Sequence, residues 1–310
     1  MEQQQPRDAI YGQITYAHDR QRNPIVIKRM NRQAMAQQRV LRTGQPVLED
    51  GFKELQLCEF LQSMPHPHLV TILNTTVTPT EVCIEMPYYS NGELYSHIAS
   101  EDHPLPPAQL LRIFQDIVSG MNHLHQHHIA HLDLSLENVL LDAEMRASVC
   151  DFGLAERNAL ECSNGRGKAL YMAPEMYTET TFNGYQCDMW SLGVILFTMF
   201  TGSPPVQMAH EEDVCFRKLK DRGVAYLIKT WKFQLPPMII QLLERLLVVN
   251  PKERMTREEL MAHPLIKAPS GRALHWLAPN VACYGCLKRI GRGHRKYECE
   301  RGVYCSACFS

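Results

Sequence analysis

The chemistry most readily read from this chain lies in one short stretch. Asp133 and Asn138 stand five residues apart in His131-Leu132-Asp133-Leu134-Ser135-Leu136-Glu137-Asn138, and Asp151 follows thirteen residues later, directly before Phe152-Gly153. An acid, an amide and a second acid brought close together are what magnesium-assisted phosphoryl transfer needs, because magnesium takes hard oxygen ligands and the reaction is catalysed mainly by positioning and charge. A single Asp or Asn in a loop is commonly only a turn former, since both side chains bond their own backbone. Here the residues recur together and in order, which that reading does not explain. A second constellation lies near the end of the sequence, where Cys283-x2-Cys286 and Cys305-x2-Cys308 are separated by eighteen residues. That is the spacing of a four-thiolate zinc site.

Local patterns suggest the elements that would hold the first set. Ile25-Val26-Ile27-Lys28 is a β-branched run ending in a lysine, as expected of a strand whose last side chain reaches a cleft. Phe52, Leu55, Leu57, Cys58, Phe60 and Leu61 mix the steps of an amphipathic helix that also carries Glu54 and Glu59. Val82-Cys83-Ile84-Glu85-Met86 reads as another strand, followed by the turn-rich Pro87-Tyr88-Tyr89-Ser90-Asn91-Gly92. An edge strand and a polar turn would account for that composition equally well.

In this order the motifs resemble those of eukaryotic-type protein kinases of the Ser/Thr kind, over residues 12 to 265. The resemblance implies an α+β, bilobal kinase fold, with a small β-rich N-lobe (7–86), a hinge (87–92) and a large helical C-lobe (93–268). It implies ATP and magnesium as cofactors and a protein hydroxyl as acceptor. Carried over residue by residue, Asp133 orients or receives the proton of the substrate hydroxyl, Asn138 and Asp151 hold magnesium, and Lys28 holds the α- and β-phosphates. Glu54 is preferred to Glu59 as the lysine's partner. Met86 guards the adenine pocket, the carbonyl of Pro87 and the amide of Tyr89 read adenine, and Ile14 and Val26 face the nucleotide. Gly12 takes the last glycine position of the phosphate-covering loop. The family's arginine and acid of the large lobe imply a Glu175–Arg254 ion pair and a structural role for Asp188 in the loop that carries Asp133.

The departures from the family are equally specific. Leu132 stands where an arginine usually meets a phosphorylated activation loop. Arg7 and Ala9 fall at the first two glycine positions of the phosphate loop and lack glycine's access to positive φ. Ser135 replaces a lysine of the catalytic loop, and Lys168 replaces the threonine that normally bonds that lysine. The two changes read as an exchange, in which Lys168 returns a cation to the transferring phosphoryl group. The alternative to an active enzyme is a pseudokinase scaffold that recruits partners.

The chain has 310 residues, 45% of them apolar and 21% charged, with a net charge of −1, ordinary values for a soluble globular protein. The near-neutral charge argues against nucleic-acid binding by the whole chain. The polar opening segment, Met1 to Asp8, reads as neither secretory nor transit peptide, and the longest apolar run, Leu192 to Phe200, is too short to cross a bilayer. Five of eleven cysteines fall in the last 28 residues, which points to metal in a reducing, cytoplasmic setting. The histidines between His123 and His128 are expected to be helix-end residues. A linker (269–282) would lead to the zinc-finger-like module (283–310), which resembles half of a cross-braced FYVE or RING finger. Its six Lys and Arg against Glu298 and Glu300 would suit a phosphoinositide or an acidic protein and hence recruitment to a membrane. A solvated basic face explains the same charges.

Overall fold

Alternating and β-branched residues build one antiparallel sheet at the start of the chain. Strands β1 (Arg7–Ala9), β2 (Gly12–His18) and β3 (Pro24–Asn31) follow one another, and β4 (Asn74–Val77) and β5 (Glu81–Pro87) complete the order β1-β2-β3-β5-β4. Register sets Lys28 opposite Ile14 and Ile84, and Val26 opposite Tyr16 and Met86. With a side-chain period of two, all of these residues share one face. That face becomes the roof of the cleft. The computed structural model describes residues 5–100 and 105–267, together with the backbone of 296–299 and 302–305.

Helices α1 (Arg32–Gln37) and α2 (Gly51–Ser63) are inserted between β3 and β4. Asp50 starts α2 by accepting from the amides of Phe52 and Lys53 at 3.0 and 3.1 Å, an N-cap that satisfies two otherwise unpaired donors. The buried residues of α2 are Gly51, Glu54, Leu55, Leu57, Cys58 and Leu61, so a glutamate sits within its apolar stripe. The expected break between strand and hinge shifts slightly, because β5 runs on through Pro87, paired with Ile25.

The larger lobe begins with β6 (Gly92–Glu93) and α3 (Leu94–Ala99). It continues through α4 (Pro107–Gln126), β7 (Ile129–Ala130), β8 (Val139–Leu141), β9 (Ala147–Val149) and β10 (Glu156–Arg157). The short strands form two small sheets, β6-β8-β9 and β7-β10, which clamp the chain on either side of the loop bearing Asp133. Helices α5 (Glu175–Thr178), α6 (Gly184–Thr201), α7 (Val214–Arg222), α8 (Val224–Thr230), α9 (Pro237–Leu246), α10 (Arg257–Ala262) and α11 (Pro264–Lys267) follow. The apolar run from Leu192 to Phe200 lies in α6, where every residue from Cys187 to Met199 is buried. That explains a hydrophobicity without periodicity. Asn183 caps the start of α6, and Gly202, at φ +74°, ends it in the left-handed region that favours glycine.

The result is the expected arrangement of a β-rich lobe and a helical lobe. No helix among the described residues is long and apolar enough to cross a membrane. Strands β11 (Lys296–Cys299) and β12 (Gly302–Cys305) form an antiparallel hairpin. Cys283, Cys286 and Cys308, and the side chain of Cys305, lie outside the described residues, as does the expected linker. Among the described residues, no group of three or more His, Cys, Asp or Glu is arranged to hold a metal, and the histidines at the end of α4 belong to that statement.

Candidate active site

The loop after β7 is held from below by α6. Asp188, fully buried, accepts from the amides of His131 at 2.8 Å and Leu132 at 2.9 Å, and its Oδ2 also lies 2.8 Å from His125 Nε2. These bonds fix Leu132 in the left-handed region at φ +63°, a conformation that costs a non-glycine residue about 1 kcal/mol or more. His131 ties this loop to the Asp-Phe-Gly triplet: its Nε2 is 3.0 Å from the carbonyl of Cys150 and its ring lies 5.6 Å from that of Phe152. Asp151 is itself at φ +64°.

Asp133 and Asn138 are locked together. Asn138 Nδ2 donates to the Asp133 carbonyl at 2.8 Å and to its Oδ2 at 3.0 Å, while Asp133 Oδ1 accepts from the Lys168 amide at 3.0 Å. With the amide nitrogen so used, Asn138 Oδ1, which also lies 3.4 Å from Lys168 Nζ, is the oxygen that can face a cation. Asp151 offers a carboxylate whose side chain is 42% exposed. An amide oxygen and a carboxylate are the hard donors that magnesium prefers, so these residues fit that ion.

Across the cleft, Lys28 Nζ lies 2.5 Å from Glu54 Oε1 and 3.5 Å from Asp151 Oδ1. Burial alone would lower the lysine's pKa, but Asp151 and then Glu54 outweigh it and hold the ammonium well above its usual range. Lys28 in turn holds the Asp151 carboxyl below the ordinary carboxylate range. Glu59 is exposed and plays no part in this pair.

Between the lobes lies a cleft of about 640 Å³, within the roughly 300–1,000 Å³ of small-molecule sites. Ile14, Val26, Met86, Leu140 and Cys150 give it apolar walls, and Pro87 and Tyr89 line the side where the lobes join. Burial pushes the Cys150 thiol far up, so it is a neutral wall and not a nucleophile. Gly12 is not part of the lining. A Cβ there would stand 2.1 Å from the Arg29 carbonyl, so this glycine is required for the close pairing of β2 with β3.

Where a phosphate-covering loop is expected, the turn is only the two residues Ile10 and Tyr11, since Ala9 pairs directly with Gly12. Tyr11 turns inward, 2% exposed, and its hydroxyl donates to the Glu49 carbonyl. Sequence reasoning missed Glu49, which has no periodic or motif signal. Its carboxylate faces Gly153 and is pushed up to about 7, by burial first and then by Asp151.

The segment from Leu154 to Ala173 is anchored at both ends. Glu175 and Arg254 form the expected pair, with two contacts of 2.6 and 2.9 Å and both side chains at most 1% exposed. Farther up, Glu156 joins Arg166 at 2.5 Å and Lys53 of α2 at 3.3 Å. Lys168, at the turn of the segment, places its Nζ 2.7 Å from Ser135 Oγ.

This geometry agrees with what the chain is similar to. Residues 10–266 match the family model for the protein kinase domain. The chain is 29% identical over 253 residues to the carbon catabolite-derepressing protein kinase of Secale cereale, covering 81% of this chain and 47% of that protein. It is 30% identical over 244 residues to serine/threonine-protein kinase SIK2 of Gallus gallus, covering 76% of this chain and 29% of that protein. Against serine/threonine-protein kinase SAPK9 of Oryza sativa subsp. japonica it is 34% identical over 209 residues, 66% of this chain and 57% of that protein. The matches thus span from under a third to somewhat over half of those relatives' lengths. With its lysine, its two carboxylates and its amide gathered at one cleft inside the matched region, the chain belongs to the protein kinase domain family.

Proposed function

We propose that this chain is a protein serine/threonine kinase that transfers the γ-phosphoryl group of ATP to a protein hydroxyl. The observation that carries this reading is the meeting of five side chains from both lobes: Lys28 against Glu54 and Asp151, and Asp133 against Asn138. Magnesium held by Asn138 and Asp151 would neutralise charge on the β- and γ-phosphates. Lys28 is kept protonated and aimed into the cleft, where it suits the α- and β-phosphates. Asp133, its carboxylate oriented by Asn138 and by the Lys168 amide, suits a substrate hydroxyl and its departing proton. Ile14, Val26 and Met86 suit the faces of adenine, with Pro87 and Tyr89 along its edge. Tyr171-Met172-Ala173-Pro174-Glu175 and the names of the relatives favour serine or threonine over tyrosine.

The complete set of polar residues weighs against an empty scaffold. The four tail cysteines enter the proposal as a zinc site on spacing alone, and a lipid or acidic-protein partner for the basic finger rests on its charge alone, as a cytoplasmic setting rests on cysteine usage. The deciding experiment is phosphotransfer from radiolabelled ATP to a generic protein substrate, by the parent and by Asp133→Asn. Incorporation into Ser or Thr that drops roughly 100-fold or more in the variant supports the reading. Equal incorporation by both, or none by the parent, overturns it.

A further inference from the structure

The proposed reaction lacks one component that its catalytic loop does not supply, a cation next to the group being transferred. The loop offers Ser135, a fully buried hydroxyl with no charge. The segment that follows the metal-binding triplet offers Lys168, and its side chain folds back onto that hydroxyl. Lys168 Nζ lies 2.7 Å from Ser135 Oγ, 3.4 Å from Asn138 Oδ1 and 3.9 Å from Glu137 Oε2.

Both ends of this lysine are constrained. Its amide donates to Asp133 Oδ1 at 3.0 Å, and its carbonyl accepts from the amides of Tyr171 and Met172 at 2.8 and 3.2 Å. Gly167 makes the approach possible. It sits at φ +113°, and a Cβ there would stand 2.7 Å from the Leu132 carbonyl and 3.1 Å from Asp133 Oδ1. A residue with a side chain would therefore push the segment off the loop and take the ammonium with it. An ammonium has three donors. The Ser135 hydroxyl and the Asn138 amide use two, Glu137 lies beyond hydrogen-bond range, and the lysine side chain is still 38% exposed. One donor remains for an oxygen arriving beside Asn138 and Asp133.

We infer that Lys168 is a catalytic residue that binds the γ-phosphate, so that the cation which neutralises the transferring group is delivered by the activation segment and not by the catalytic loop. The inference rests on the kinase reading and deepens it. In the transfer, the bond from the substrate oxygen to phosphorus forms as the bond from phosphorus to the β-bridging oxygen breaks. The electron pair leaves on ADP and the hydroxyl proton passes to Asp133, while Lys168 stays an ammonium throughout. Ser135 is then its positioning partner: a short, buried hydroxyl leaves room for the long stem and holds its end. A nucleotide with a γ-phosphate would also bind the segment directly, so order in residues 154–173 would follow the nucleotide state.

The test uses the full chain, the parent, Lys168→Met and the exchange variant Ser135→Lys/Lys168→Thr. Calorimetry with MgATP and MgADP reads the contact without turnover. Lys168→Met should keep the parent's ADP affinity within about twofold and lose about tenfold or more for ATP, the size of one charge-assisted phosphate contact. In turnover, Lys168→Met should lose roughly 100-fold in kcat, and the exchange variant should recover most of it, which a merely structural lysine would not allow. An unchanged ratio of ATP to ADP affinity in Lys168→Met, or turnover within about threefold of the parent, overturns this inference and leaves the kinase reading standing. A parent that binds neither nucleotide overturns both.

Discussion

Glu54 reaches from helix α2 to within 2.5 Å of Lys28 on β3, and is only 4% exposed there. Burial raises its pKa, and Lys28 partly offsets that rise. The glutamate sits in the apolar stripe of α2, so docking the helix against the sheet and aiming the lysine are one event. Two carboxylates, Glu54 and Asp151, draw the same ammonium, which keeps it in the cleft and only 16% exposed.

Removing the charge without the volume separates these effects. Glu54→Gln should leave the thermal midpoint close to the parent's and lower kcat/KM for MgATP by about tenfold or more, equal to roughly 1.4 kcal/mol of lost transition-state stabilisation. Steady-state kinetics at varied MgATP checks it. An unchanged kcat/KM would mean that Asp151 alone positions Lys28.

Much of this site could be read from the sequence because its parts are short motifs with fixed spacing. Asp133, Asn138 and Asp151 lie within one stretch, and the β-branched run announces the strand that carries Lys28. The preference for Glu54 over Glu59 agrees with burial, since the first faces Lys28 and the second is exposed. What sequence could not give were contacts between distant residues of no special type. Tyr11 folding under a two-residue turn onto Glu49 is one, and the meeting of Lys53, Glu156 and Arg166 is another. Gly12 shows a third limit, because a glycine in a phosphate-loop position is used instead to pass the Arg29 carbonyl.

The Glu175–Arg254 pair is doubly bonded, and Arg254 also donates to the carbonyls of Val248 and Gln186. Truncating one side leaves a buried charge with no partner, at a cost of about 3–5 kcal/mol. Arg254→Met should lower the midpoint of urea unfolding accordingly and open residues 160–174 to proteolysis. A loss below about 1 kcal/mol would show that the carboxylate finds water or another donor.

Glu156 occupies a place of its own because Leu132 cannot contact a phosphorylated segment. Its carboxylate joins Arg166 of the segment after Asp151-Phe152-Gly153 to Lys53 of α2, a permanent negative charge shared by two separate parts of the chain. Chain taken from a host without other kinases should therefore be ordered over residues 157–168 without phosphorylation. Glu156→Gln should raise amide exchange there, with an effect near 1 kcal/mol because Lys53 is exposed. Exchange rates equal to the parent's would assign the order to Lys168 and Gly167 instead.

The last prediction concerns acid. His66 stacks on His123 at 4.7 Å between ring centres, and His123 meets His127 at 4.4 Å, which joins the turn after α2 to the end of α4. His66 is lowered from 6.5 to about 4, by burial first and then by His123 and His68. His123 is lowered too, by burial and then by His127. A folded pKa below the unfolded one means that the unfolded chain binds more protons in that window, so the stability present above about 6.5 is lost as pH falls toward 4. Two carboxyls oppose the trend: Asp116, 3.5 Å from His68 and raised, at the acid end, and Glu49, raised to about 7, through the same window. The histidines' share is therefore read as the difference between the parent and a variant that lacks His66. Solvent screening limits the loss to about 1 kcal/mol, since these rings are only partly buried. Unfolding by urea at about pH 7 and about pH 5 should show the parent losing about 1 kcal/mol relative to His66→Asn over that range, with little difference between the two at the higher pH. An equally steep dependence in the variant would place the acid sensitivity elsewhere in the chain, while a flattened one would identify the joint between α2 and α4 as the point where protonation loosens the helix that carries Glu54.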